Sequence, residues 1–368
     1  MLTTQRIALT AILALTVATF AGPLAPPAGP VAPTPGPEPR TAINATNTPG
    51  DPDSLYKITL PGSYYLTGNI TGVSGLSGIE IAASGVTIDL NGFDLQGVPG
   101  SLDAVTNSGL SQTNLAVSNG SVRNWGGDGV DLSASVAFGC CVERVVSSGN
   151  SGAGIRISVG STASNCTAFS NGGHGIATGT DCTISGCSVY ASGQNGINAG
   201  VGSTITLCTA FSNTGSGIVA AGSGCTISNC TSGRNSASGI NAGTGGTVLN
   251  CTSSANNADG IVLADLCVIR GNNCTGNGFI ANDGAGIHAT STDNRIEGNN
   301  CTGADRGIDV DFSGNFISRN VCSGNTNNWD VVSGNIILVV NAATAGAVTG
   351  NAGGTAPGST DPNANFTY

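Results

Sequence analysis

Few side chains in this chain can do chemistry, and they are unevenly placed. Between Asp259 and Asp330 lie nine of the 21 acidic residues and four of the 11 basic ones, whereas the stretch from Asn171 to Ser254 holds only Asp181, Arg234 and the ionisable His174. A site is therefore expected in the C-terminal third. Within it, His288, Asp309 and Asp311 form the candidate constellation. A carboxylate beside an imidazole raises its pKa and orients it, so that the group can serve as acid or base. Asp309 and Asp311 can instead hold Ca²⁺, a cation that takes oxygen ligands. The plainer alternative is a cross-strand ion pair on a solvated face, as expected for Asp131 with Arg156.

Whether those residues meet depends on the elements that carry them, and the elements repeat. Gly-Ile or its equivalent ends at Ile79, Val105, Val130, Ile155, Ile176, Ile197, Ile218, Ile240, Ile261, Ile287, Ile308 and Val331. A cysteine series runs beside it, from Cys166 through Cys187, Cys208, Cys230, Cys251, Cys274 and Cys301 to Cys322, at intervals of 21, 21, 22, 21, 23, 27 and 21. One cysteine per repeat is the simplest reading. Leucine is scarce and no segment has helical periodicity, which excludes a leucine-rich repeat. Each unit instead holds three short alternating stretches, GIAT, CTIS and CSVY in the unit that starts at Gly175. Alternation puts Ile176, Cys182, Ile184, Cys187 and Val189 on the inner side.

Three short strands per unit predict an all-β fold, a parallel β-helix of about twelve coils stacked at about 4.8 Å, a rod of roughly 58 Å. Stacking places His288 and Asp309 on adjacent coils in the column of residues that follow the Gly-Ile marks, with Asp311 beside them. Asn150, Asn171, Ser192, Asn213, Asn235 and Asn256 recur once per coil and predict an amide ladder. Phe169, Tyr190 and Phe211 predict a short aromatic stack. The column cysteines are expected as reduced thiols, since parallel Cβ vectors suit a disulfide poorly; Cys140 with Cys141 and Cys182 with Cys187 are left open.

The ends of the chain read differently. Arg6, the apolar run Ile7 to Phe20 and the small residues Ala21 and Gly22 predict a signal peptide over 1–21, and hence export. Residues 22–40 carry eight of the fourteen prolines and suit an extended linker. An N-terminal cap is expected over 41–75, the β-helix over 76–335 and a C-terminal cap or tail over 336–368. Net charge is −10 with a single lysine, Lys57, which excludes a nucleic-acid partner. No segment supplies the about 20 apolar residues of a membrane span.

PGSYYLTGNI from Pro61, GIEIAASGVTIDLNGF from Gly78, NNCTGN from Asn272 and TDNRIEGNNC from Thr292 resemble the secreted right-handed parallel β-helix repeat proteins of the pectin-lyase-like superfamily, of the kind common in planctomycetes. The resemblance covers residues 41–368 and implies the fold, not one activity. Gly173-His174-Gly175 looks like the glycine-flanked histidine of polygalacturonases, but no paired aspartates lie one coil upstream to serve as acid and base. Nothing matches the DPHD sequence of alginate epimerases. Pectate-lyase chemistry would need Asp-bound Ca²⁺ and an Arg or Lys base, for which Asp305, Asp309, Asp311, Arg306 and Arg319 are available.

The Asn-Cys-Thr sequons at Asn165, Asn229, Asn250, Asn273 and Asn300 are read as part of the repeat. Paired Thr and Ser columns, such as Thr183 with Ser185 and Thr204 with Thr206, look like the face of β-helical ice-binding proteins. Most coils present only Gly, Ser, Thr, Ala and Asn outward. The leading expectation is therefore an exported, non-catalytic scaffold that binds extracellular polysaccharide or acts as a surface or structural protein; a lyase or hydrolase acting through the C-terminal coils and an ice-binding protein are the rivals.

Overall fold

The computed structural model describes residues 39–341, apart from 110, 135–136 and 279–283, together with residues 362–367. The expected signal peptide and nearly all of the proline-rich linker lie outside the described residues. Among the described residues there is no helix, and every pair of named strands is parallel.

Two sheets make the solenoid. One stacks thirteen strands in single file, from Ser54–Ile58 to Asn327–Val331; it forms face 1. The other has 26 strands and contains faces 2 and 3, such as Thr183–Ser185 and Ser188–Tyr190 in one coil. They merge because Ala116–Arg123 and Cys141–Ser148 run round the corner as unbroken strands. Thirteen rungs on face 1 exceed the twelve sequence marks by one, and the last mark, Val331, is two residues out of register: Trp329 pairs with Ile308, whereas Val331 pairs with Val310. The extra rung lies in the 41–75 segment, where Tyr56 is in register with Ile79; it lacks the Gly-Ile signature and so left no mark.

The three stretches of the Gly175 coil are strands Ile176–Thr178, Thr183–Ser185 and Ser188–Tyr190. Their inner residues, with the cysteines at the bends, are buried to 1% exposure or less. Each buried mark isoleucine contributes roughly 1.5–3 kcal/mol relative to leaving it in water. Glycine precedes the mark because the chain has no room there: a carbon added at Gly154 would lie 2.6 Å from Asn171 Nδ2 and 2.6 Å from the Gly175 carbonyl oxygen. At the bend between faces 2 and 3, Asn165, Asn229 and Asn250 have φ of 54°, 53° and 52°, a left-handed conformation that asparagine tolerates better than most residues. These three sequons thus answer a backbone demand.

The cysteines do not form one column. Ser253 pairs in register with Cys274, so Cys251 stacks on Asn272 rather than on Cys274. The series Cys166, Cys187, Cys208, Cys230 and Cys251 continues as Asn272, Asn299, Asn320 and Asn365, each asparagine Oδ1 accepting the backbone N–H of the preceding coil. Cys274, Cys301 and Cys322 stack in the next inward column. The interval of 23 was the clue, since two residues along a strand lead to the next inward position. All thirteen thiols are unbridged.

The amide ladder runs from Asn150 to Asn171 and from Asn213 through Asn235 and Asn256 to Asn277, with links of 2.9–3.0 Å between side chains. Phe169 stacks on Tyr190 with ring centroids 5.0 Å apart and ring planes nearly parallel. Phe211 is in register with Tyr190, but its ring edge lies 2.7 Å from where a side chain at Gly233 would begin; the stack has two rings rather than three because Phe211 covers that glycine.

Candidate functional site

His288 lies in Ala285–Ala289 and Asp309 in Arg306–Val310, two adjacent face 1 strands that pair His288 with Asp309 in register. Asp311 follows the second strand. His288 Nε2 is 3.0 Å from Asp311 Oδ2 and 3.8 Å from Asp309 Oδ2. The three predicted residues therefore converge, and their ligand atoms lie within 4.8 Å of one another.

Two further carboxylates were not foreseen. Asp259 Oδ2 is 3.3 Å from His288 Nδ1, and Asp330 Oδ2 is 2.9 Å from Arg306 Nε, while Arg306 also holds Asp309 at 3.1 Å. Asp259 occupies a repeating position. Asp103, Asp128, Asn195 and Asp259 each use Oδ1 to accept the N–H of the next coil, from Asp128, Ala153, Ser216 and Ala285. The second oxygen of Asp128 then takes Arg156 Nε at 2.7 Å, as that of Asp259 takes His288. The sequence signal was present, because this column is the one that contains His174.

That grip sets the charge of the site. The hydrogen bond that His288 Nδ1–H donates to Asp259 leads in raising the His288 pKa to about 9, against burial and with help from Asp311 and Asp309. With that pKa the ring at neutral pH is mostly an imidazolium, which donates from both nitrogens. Burial pushes the Asp309 carboxyl above its usual range, against the pull of His288 and Arg306. A groove of about 290 Å³ opens over His288, Arg306, Asp309, Asp311, Asp330 and Val332. Asp311 and Val332 are exposed, and so is Phe312 beside them.

Ca²⁺ does not fit this donor set. It takes six to eight oxygens, whereas Asp309 and Asp311 already answer an internal cation and the third candidate ligand is a protonated nitrogen. A second acidic group, Asp51, Asp53 and Glu80, is arranged alike: Lys57 reaches Asp51 at 2.6 Å and Glu80 at 2.7 Å.

The other candidates disperse. Asp305 Oδ2 accepts the Gly284 N–H at 3.2 Å, and Arg319 lies at the bend after face 2, bound to Glu297 at 3.0 Å. Arg156 is in register with Asp131 but pairs with Asp128; Asp131 instead accepts from Ser133. His174 has a buried Nδ1 without a hydrogen-bond partner, and burial lowers its pKa. Among the described residues its ring makes no ion pair with a carboxylate, and it stands apart from the cluster.

The family described as right handed beta helix region matches residues 177–300. Among solved structures, the A-module of the mannuronan C-5 epimerase AlgE4 of Azotobacter vinelandii superposes with a TM-score of 0.56 at 17% identity, over 73% of this chain and 88% of that one. The A-module of AlgE6 from the same organism gives 0.58 at 16%, over 70% and 80%. No curated protein matches the chain in sequence.

Proposed function

We propose that this right-handed parallel β-helix of the pectin-lyase-like fold is an exported, non-catalytic polysaccharide-binding protein whose contact site is the groove over His288, Asp309 and Asp311. One observation carries the reading: the groups able to act as acid or base in the groove already satisfy one another. His288 is charged and held by Asp259 and Asp311, and Arg306 is held by Asp309 and Asp330. Exposed carboxylate edges on Asp311 and Asp330 accept hydrogen bonds from sugar hydroxyls, and Phe312 and Val332 offer apolar surface to a sugar face.

A glycan array that includes mannuronan, with wild type, Asp311→Asn and Asp330→Asn, tests the reading. Both substitutions lie on partly exposed side chains, so folding should persist. Binding that both weaken supports it, and unchanged binding in both removes the groove. An ultraviolet assay for unsaturated uronates runs beside the array; product from wild type would replace this reading with a lyase.

In-register threonines on face 2 favour a second reading. Thr162, Thr183, Thr204, Thr226 and Thr247 stack over five rungs, with Ser164, Ser185, Thr206 and Ser228 in the parallel row. A regular hydroxyl face of this kind suits ice. Thermal hysteresis is the measurement, and its absence removes the reading.

A further inference from the structure

Three arginines converge on one carboxylate where face 2 meets its bend. Glu297 is buried, and its Oε2 accepts from Arg270 at 2.8 Å and from Arg295 at 3.0 Å, while its Oε1 accepts from Arg319 at 3.0 Å. Among the described residues, three positive charges against one negative leave a local surplus of two positive charges in a chain whose net charge is −10. A carboxylate has two oxygens and one charge, so neutralising Glu297 does not require three guanidinium groups. The surplus carries a cost in mutual repulsion that Glu297 only partly relieves.

The donors are positioned and only partly used. A guanidinium has five N–H donors, of which Arg270 and Arg295 each spend one on Glu297; among the described residues no other acceptor takes theirs. Arg295 lies over the Phe316 ring at 5.8 Å, and Arg319 is fixed from behind by the Pro362 carbonyl at 3.2 Å and Asn363 Oδ1 at 3.1 Å. Arg319 holds φ of 59° at a bend where the two preceding coils have Gly271 and Gly298. That conformation is uncommon for a long side chain. Gly298 leaves the space beside it empty, with no atom within 4 Å of where a side chain would begin. The result is a pocket of about 340 Å³ walled by the three arginines, Glu297 and Gly298.

The geometry points to an oxyanion-binding site formed by Arg270, Arg295 and Arg319, sized for a carboxylate, sulfate or phosphate group, either free or carried on an acidic glycan. Planar guanidinium forks match such groups in pairs of hydrogen bonds. The site is on a different face from the His288 groove and does not rest on its reading.

Calorimetric titration of the full chain at low ionic strength tests it, with inorganic sulfate, inorganic phosphate and a uronic-acid oligomer as probes and a neutral oligosaccharide of equal length as control. At least one anionic probe should bind, and Arg270→Gln and Arg295→Gln should each weaken it about tenfold, the loss of one charge-assisted contact of about 1.4 kcal/mol. Arg123→Gln, which removes an arginine paired with Asp94 elsewhere, should leave binding unchanged. Preference for the oligomer over the inorganic ions assigns a glycan-borne anion, and the reverse order assigns a free one. Failure of all three anions to bind, or equal loss in Arg123→Gln, overturns the proposal.

Discussion

Val189 fills the space that an asparagine amide fills in the coils on either side, and Ser192 is small because of it. A carbon added at Gly175 would lie 2.1 Å from Val189 Cγ1 and 2.9 Å from Ser192 Oγ; at Gly154 and Gly196 the nearest side-chain neighbours in that place are Asn171 Nδ2 and Asn213 Nδ2, both at 2.6 Å. Three residues before the ladder position, the neighbouring coils have Ala168 and Ala210. The pair therefore trades volume: valine with serine in one coil, a smaller residue with asparagine in the others. The ladder is interrupted there, and Ser192 Oγ makes no hydrogen bond.

Ser192→Asn alone should destabilise by about 1–3 kcal/mol, because the amide meets Val189 in a packed interior. Val189→Ala alone should cost a similar amount through the cavity it leaves. Combined, they rebuild the arrangement of the adjacent coils and should recover most of the loss, giving a coupling of at least about 1 kcal/mol in a double-mutant cycle. Denaturant titration of the four proteins is the check, and additive effects would mean that the two positions do not share space.

His288 makes stability depend on pH in a defined window. Its folded pKa of about 9 lies above its ordinary 6.5, so the folded state favours the proton. The stabilisation is complete below about pH 6.5 and disappears as pH rises through 9. Asp259, Asp309 and Asp311 face the ring, with Arg306 held beyond Asp309. The thermal midpoint should fall between pH 7 and pH 9.5 more steeply in wild type than in His288→Gln. Parallel profiles would show that the ring is not held as an imidazolium.

Millimolar Ca²⁺ should leave the thermal midpoint of the wild-type protein unchanged, since the ion would compete with a proton on His288 and with Arg306 at Asp309. His288→Ala removes one of these competitors, so if either acidic cluster responds to Ca²⁺, it should be this one in that variant. A wild-type rise in midpoint with Ca²⁺ that Asp309→Asn abolishes would reverse this account of the donor set.

How far the sequence reveals the structure depends on which contacts are repeated. The Gly-Ile marks are legible because the glycine answers a close approach in coil after coil. The register of His288 with Asp309 follows from those marks alone. Tyr56 carries the same rung without the glycine, and the coil count fell short there. The cysteine series misled because a shift of two residues keeps a side chain inward while moving it to another column, as Cys251 and Cys274 show. Asp259 was missed for a different reason: its carboxylate reaches along the solenoid axis to the next coil, which strand alternation does not describe. The same reach takes Arg156 to Asp128 instead of its register partner Asp131.

The thiols give the last prediction. Twelve of the thirteen cysteines are buried, and only Cys141 is partly exposed. Several donate to carbonyls, as Cys182 Sγ does to Ser158 O at 3.0 Å and Cys267 Sγ to Gly243 O at 3.2 Å. Burial raises the pKa of Cys140, Cys182 and Cys267, which removes the thiolate that reacts with a disulfide reagent. Native protein near pH 8 should therefore titrate no more than one thiol, and slowly, because burial raises Cys141 as well. In denaturant the count should rise to thirteen, with Cys141→Ser losing the native reaction and one equivalent of the total. Each disulfide would lower the denatured count by two, so a total of eleven or fewer would mean that bridges form between stacked cysteines despite their parallel Cβ directions.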